Sequence, residues 1–594
     1  MPSSANNSQF EPRPALLAAT LLFAAFAIWG SPFLFDYLNS GDQLTPLVQT
    51  IEPGLFPNDQ DVPVLRAFKS GFYLLLAQAL RLARIAPQQT EPIVYALYLI
   101  SKLLLLAGIC YVAWALKRDP WFLVVLVAWC CHQKPALLGS VTLFLPLLTH
   151  NEVALILGLF ALGSLLRQRW FWFWLLTGLA VLVHVLVGLQ FALCFAPLLF
   201  WRRQFGKGFW PGLAVFGLCC LVYLTALAPP PLSAEEIPLF RSLIGSTGHI
   251  SLFSQGWQAW LGFAAIFGLA WAAYDRFLRH EAKFAFLLQA AGCGAMIGSV
   301  LSLAAVLSGQ LQLMQFQPMR VFYWVTLLCF MVIAAAMVEA FKASRLAGLL
   351  LASVLVLTTL NSILLLPFAL LAVCYFLAQH WRGQSDFLIA GLAGVILLLA
   401  VAGIVAAWAL GERQPVASLR SPQLLLPGAL CLAVLCLPSV KRWYLPLSWS
   451  LIIYCLLTAS LYRHSYYARW TDPDWRAVRL WCQANTQPTD RFLTPPDQAP
   501  FRLLSLRTTI SEAMPRLVWL SPSRYLENRQ VAERASVGYA ATTCAPDYLF
   551  ALAQEWNCQY VVARGAYDDK FQPLFRAGKY SVLKAPVATE RPQP

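Results

Sequence analysis

Apolar runs that match or nearly match the length needed to cross a hydrocarbon layer of about 30 Å recur from residue 15 to residue 461 and then stop. They predict spans near 15–35, 93–116, 119–131, 151–166, 171–187, 188–201, 209–228, 257–275, 284–308, 321–341, 346–360, 363–378, 387–410, 423–438 and 444–461. The pattern is that of a polytopic α-helical membrane protein of about 13 to 15 spans. Residues 71–86 are apolar but short and carry Arg81 and Arg84. A helix lying in the interface fits them better than a span, which would invert every later connection.

Lys and Arg gather on alternate connections: Arg13, Lys117 with Arg118, Arg167 with Arg169, Arg202 with Arg203 and Lys207, Arg276 with Arg279 and Lys283, Lys342 with Arg345, Arg382, and Lys441 with Arg442. By the positive-inside rule that face is cytoplasmic, so the amino terminus is inside and the tail from residue 462 outside. The first run exceeds signal-peptide length without a small-residue cleavage site and reads as a retained anchor.

The tail breaks the pattern. It holds 17 of the 43 Lys and Arg and 12 of the 28 Asp and Glu, the make-up of a water-soluble domain. Helices are predicted over 474–486 and 546–557, and strands over 491–494, 508–510, 560–563 and 580–584. The chain therefore divides into a membrane domain, 1–461, whose outer loop spans 36–92, and a small extracytoplasmic α/β domain, 462–594.

Composition agrees. Of 594 residues, 59% are hydrophobic and 12% charged, which excludes a cytosolic enzyme, a disordered chain and a secreted disulfide scaffold. The net charge of +15 is scattered in pairs between apolar runs, so it reads as topogenic and not as a nucleic-acid surface. No repeat of 20 to 50 residues is visible, against a transporter built from inverted repeats. Most of the fifteen cysteines lie in spans. Among Cys482, Cys544 and Cys558 one disulfide is chemically allowed, but spacing does not choose a pair. Cys130, Cys131 and His132 read as packing residues at a span end, with no second pair spaced to close a metal site.

Lys102 and Glu339 are placed toward the ends of their runs, within reach of the interface. Polar residues collect instead at three outer places. Asp36 to Lys69, DYLNSGDQLTPLVQTIEPGLFPNDQDVPVLRAFK, carries five carboxylates followed by Arg66 and Lys69. A solvated loop accounts for it, as does a carboxylate base beside a cationic phosphate site. In His132 to Glu152, the closing THNE either caps the next helix, with Asn151 a good cap by type, or offers Glu152 and His150 to a ligand. GQLQLMQFQPMR, 309–320, ends in Arg320, a snorkelling anchor or a phosphate contact.

One span, an outer loop with an acid soon after it, and an interfacial segment leading through a cation into an apolar helix together resemble the GT-C superfamily of lipid-linked-sugar glycosyltransferases. The likeness is to the aminoarabinose transferase and protein mannosyltransferase branch. There a loop acid precedes a segment of the type K-P-P-L-L-Y-W-L; here Asp42 precedes FKSGFYLLL, residues 68–76. Glu152 corresponds to a second acid at the mouth of a span, and HVLVG, His184 to Gly188, to the K-G-P-x-G turn. The Pro pair is absent, Gln43 follows Asp42, and His184 replaces Lys.

The resemblance implies transfer of a sugar from a polyprenyl-phosphate donor to a glycan, lipid or protein acceptor at the outer face of a bacterial-type inner membrane, with inversion. Asp42 would be the base, with Glu152 assisting it or binding the acceptor. Arg66, Lys69 and Arg320 would face the lipid phosphate, and Asp59, Asp61 and His150 complete the substrate site. A divalent cation would fit near the acids without being required. Two other readings are a transporter or flippase of lipid-linked glycans, which needs a polar path through the bilayer, and a non-catalytic scaffold or O-antigen-type polymerase or ligase. The enzyme reading expects Asp42 and Glu152 to converge on one outer cavity, with Arg320 or Lys69 at its lipid-side opening; dispersed acids would favour the scaffold, and a cavity open toward the midplane would favour transport.

Overall fold

The computed structural model describes residues 33–343 and 472–586, apart from 36–37, 68, 133–137, 139–146, 246, 248, 255–256, 499, 541–545 and 566–571, with six isolated positions at 20, 23, 347, 348, 351 and 354. Asp36, Cys544, nearly all of the 15–35 span and those predicted over 346–461 fall outside these residues.

The helices of the first part are α1 (Leu38–Ile51), α2 (Asp61–Leu65), α3 (Gly71–Leu82), α4 (Thr90–Leu116), α5 (Pro120–His132), α6 (His150–Leu166), α7 (Trp170–Val183), α8 (Val185–Trp201), α9 (Phe209–Val222), α10 (Glu236–Ile244), α11 (Trp257–Phe277), α12 (Ala282–Ser308), α13 (Leu311–Gln315) and α14 (Val321–Ala343). Four segments among the described residues are long and apolar enough to cross a membrane: Pro87–Leu116, Phe209–Leu227, Ala282–Ser308 and Leu311–Ala343. Helices α4, α6, α7 and α9 pack in succession, and α14 lies between α11 and α12. Being apolar all round, α14 is buried all round. Small residues let the helices close: a Cβ on Gly158 of α6 would lie 2.5 Å from the Trp324 ring of α14.

The bundle has two polar ends. At one, Lys117 pairs with Glu339 at 2.5 Å, Lys342 with Glu339 at 2.9 Å and Asp119 at 3.2 Å, and Lys283 Nζ donates to the Ala115 carbonyl. Glu339 is thus at a helix end, as expected. Lys102 is not. It lies at the middle of the 27-residue α4, 2% exposed, with Nζ 2.5 and 2.6 Å from the Glu152 carboxylate. Two sequence-distant charges that each looked interfacial therefore neutralise one another inside the bundle.

At the other end lie α1–α3, α10 and the C-terminal domain. The segment expected as an irregular loop contains α1, because Leu44, Leu47, Val48 and Ile51 follow the helical period and pack against Tyr73, Ala77 and Tyr98. The cap of α6 is Thr149, not Asn151: its Oγ1 accepts from the Glu152 N–H at 3.2 Å.

The C-terminal part comprises α15 (Pro473–Asn485), β1 (Arg491–Leu493), α16 (Arg502–Ser505), β2 (Thr508–Thr509), α17 (Pro522–Ala540), α18 (Pro546–Glu555), β3 (Tyr560–Arg564), β4 (Phe575–Ala577) and β5 (Tyr580–Lys584). The sheet runs β2-β1-β3-β5-β4, with β2, β1 and β3 parallel and β5 antiparallel to both β3 and β4. Alternation along the strands makes two cores. Phe492, Val562, Val582 and Tyr580 face α15, while Leu493, Val561, Ala563 and Leu583 face α17 and α18. Trp475 is 1% exposed in the first of these cores. Cys482 and Cys558 are free and sit in opposite cores. The patterning missed α17, whose apolar residues are sparse, and β4.

Candidate functional site

Helices α1 and α3 and the turns between them enclose a cavity of about 260 Å³ that is closed on one side by the C-terminal domain. Its charged lining is Asp42 from α1, Arg66 and Lys69 from the α2–α3 connection, Arg81 from α3, and Arg516 from the C-terminal 3-10 turn Pro515–Trp519. Four cations and one carboxylate thus line the same cavity. Exposed Leu74 and Leu75 on α3 flank the site with an apolar surface.

Asp42 is 4% exposed. Its Oδ2 accepts from the Arg516 N–H at 3.0 Å, while Oδ1 is buried with no hydrogen bond among the described residues. Burial pushes the carboxyl up to about 7, against the opposing pull of the Arg516 charge and N–H. Glu512 adds a smaller upward push and Arg502 a smaller downward one. A carboxyl that titrates near neutrality, with one oxygen lacking a donor among the described residues, has what a general base needs. Behind it Tyr73 donates to Gln43 Oε1 at 2.5 Å, which secures α3 against α1, and the Leu148 carbonyl lies 3.1 Å from the same hydroxyl. Desolvation holds the Tyr73 phenol above its ordinary range, so it is a neutral donor.

Of the expected site residues, the structure brings Asp42, Arg66 and Lys69 to one cavity. His150 lies one layer behind, edge-on to Tyr73 at 5.3 Å and stacked on His184 at 4.6 Å. His184 in turn caps α8, its Nδ1 accepting from the Val187 N–H at 3.4 Å. Arg320 does not line the cavity but stands within electrostatic reach of His150, His184 and Arg516. It is carried on a turn where Gln317 adopts a left-handed φ of 51° and its carbonyl accepts from Gln190 Nε2 at 3.2 Å. Burial and the Arg320 charge lower nearby His249 to about 4.

Glu152 is held by Lys102 and does not line the cavity, so the two expected acids do not converge there, which is the dispersed arrangement expected of the scaffold reading. Asp59 and Asp61 are also occupied. Arg502 Nε meets Asp59 Oδ2 at 2.7 Å, its Nη2 meets Asp61 Oδ2 at 3.1 Å, and Arg524 and Asn528 complete the shell of Asp61 at 2.7 and 3.1 Å. This buried cluster binds the segment at Asp59 and Asp61 to the C-terminal domain. Among the described residues, no group of three His, Cys, Asp or Glu is placed to hold a metal ion.

Arg516, Tyr73, Gln43 and Arg81 were not singled out from the sequence. Only the cationic cluster around Arg66 hinted at Arg81, and no local signal marks Arg516.

Residues 473–512 match a family described as Domain of unknown function (DUF6798). That segment runs from α15 to Glu512 and includes Arg502. No curated protein matches the chain. Among solved structures, the chain is similar to ArnT from Cupriavidus metallidurans, whose crystal structure is bound to undecaprenyl phosphate, at 13% identity and a TM-score of 0.43, covering 98% of this chain and 99% of that one.

Proposed function

We propose that the chain is a membrane glycosyltransferase of the GT-C type, taking a sugar from a polyprenyl-phosphate donor at the cavity beside Asp42. The observation that carries this reading is a single carboxylate that lines one cavity together with Arg66, Lys69, Arg81 and Arg516, next to exposed apolar residues of α3. Four cations suit a phosphate, and the apolar flank suits a prenyl chain.

In this reaction Asp42 Oδ1 accepts the proton of an acceptor hydroxyl as its oxygen attacks the anomeric carbon. The bond from that carbon to the phosphate oxygen breaks, and the polyprenyl phosphate leaves with the electron pair. Arg66 and Lys69 stabilise the charge that develops on it. A single displacement inverts the anomeric centre. Glu152, bound to Lys102, keeps α4 and α6 in register, and His150 supports Tyr73. Asp59 and Asp61 act through domain docking instead of substrate contact. Arg320 adds positive potential from behind. The lysine-rich end of the bundle is cytoplasmic by this reading, and the cavity end outside.

The test is sugar transfer from a polyprenyl-phosphate-linked donor by the purified chain and its Asp42→Asn variant, with folding checked by thermal unfolding. Loss of turnover in a folded variant is expected; undiminished turnover removes Asp42 from the role and with it this mechanism.

A further inference from the structure

The C-terminal domain touches the membrane part at several points, and one of them enters the cavity. We infer that this domain is a working part of the site, with Arg516 the residue that recognises the anionic head of a prenyl monophosphate.

The placement is built with unusual stringency for a domain contact. Arg502, 1% exposed, is surrounded by Asp59 at 2.7 Å, Asp61 at 3.1 Å and Glu512 at 3.6 Å, and also donates to the Thr509 carbonyl at 2.5 Å. Desolvated charges of this kind are costly unless every partner is in place, so the cluster tolerates little slippage. Glu512, with Oε2 held by the Phe501 and Arg502 N–H groups, lies against α1 at Gly41, where a Cβ would come within 2.9 Å of Oε1 and 3.1 Å of Pro500. The residue before Asp42 is thus small where the domain presses closest.

Four residues beyond Glu512, Arg516 turns into the cavity. Its N–H fixes Asp42 Oδ2, and its side chain joins Arg66, Lys69 and Arg81 in the lining. An anion there meets three cations from the α2–α3 region and a guanidinium beside the carboxylate. A guanidinium presents a planar fork that matches two phosphate oxygens, which an ammonium does not. Arg516 therefore sets where the phosphate stops relative to the base.

This inference takes its ligand class from the proposed function but is tested by binding alone. Titrate the full chain in lipid nanodiscs with geranylgeranyl phosphate, geranylgeraniol and inorganic phosphate, comparing the parent with Arg516→Lys and Arg516→Gln. Loss of a charge-assisted contact predicts about tenfold weaker binding of geranylgeranyl phosphate in R516Q, a smaller loss in R516K, and unchanged binding of geranylgeraniol. Competition by inorganic phosphate would show that the head alone is recognised; none would show that head and chain are read together, and either agrees with the inference. Equal affinity for the phosphate in all three proteins, no binding by the parent, or equal losses for phosphate and alcohol would overturn it. Should R516Q not fold, R516K decides. Phosphate binding that depends on Arg516 without any sugar transfer would strike the transferase reading and leave this inference standing.

Discussion

The backbone N–H of Arg516 donates to Asp42 Oδ2 at 3.0 Å, joining residues 474 positions apart. The bond brings a C-terminal turn to α1 and leaves the other oxygen of Asp42 without a donor among the described residues. The contact with the C-terminal domain and the cavity lining therefore meet at one carboxylate.

If Asp42 is the base, the parent's turnover rises with pH through about 7, because the carboxylate is the active form and burial outweighs the charges of Arg516 and Arg502. Glu512 shifts the midpoint further in the same direction as burial. A pH–rate profile checks this. Asp42→Asn should lower the rate by roughly 10²- to 10⁴-fold and abolish the step; a step retained in D42N assigns it to another group.

The same carboxyl makes a stability prediction of definite sign. Its pKa is raised from 3.8 to about 7 on folding, so its favourable contribution is present below pH 4 and lost as pH rises to 7. Asp42→Asn should unfold at a higher temperature than the parent above pH 7, by at most ~4 kcal/mol in stability, and the gap should close below about pH 4. Melting curves of both proteins across that range test it; coincident curves at pH 8 would mean that Asp42 is not strained by burial.

For the Lys102–Glu152 pair, removing one member leaves the other charge buried. Glu152→Gln or Lys102→Met alone should destabilise by about 3–5 kcal/mol, and the K102M/E152L double variant should recover most of the loss. Urea or thermal unfolding in detergent measures this. Near-neutral single variants would show that the pair is solvated and would reopen Glu152 as a substrate contact.

The Arg502 cluster should govern docking and not folding of the domain. Arg502→Met leaves Asp59, Asp61 and Glu512 without their shared cation. Hydrogen exchange should then quicken in residues 59–65 and 512–528 while β3 and β5 remain protected. Uniform exchange through the sheet would instead make Arg502 part of the domain's own stability.

Much of the architecture was legible because it is local. Helices α4, α6, α9, α12 and α14 begin and end within a few residues of the apolar runs that predicted them, since burial of an apolar helix follows composition directly. Strands β1, β3 and β5 were legible from two-residue alternation. Helix α1 was not, because a segment rich in Asn, Gly, Asp and Pro hides its Leu44–Leu47–Val48–Ile51 stripe. Lys102 was misplaced because its partner lies 50 residues away on another helix.

Of the candidate site, the sequence alone determined the residue types: an acid at position 42 and cations at 66 and 69, beside apolar segments. Residue type and local spacing suffice for that. Only the tertiary structure decided which charges are available. Asp59, Asp61 and Glu152 are of the same residue class as Asp42, yet each is held by a cation distant in the chain. Asp42, buried like them, is set apart by its single backbone donor and by the neighbouring Arg516 of another domain, and such long-range pairing leaves no mark in the local pattern of residues.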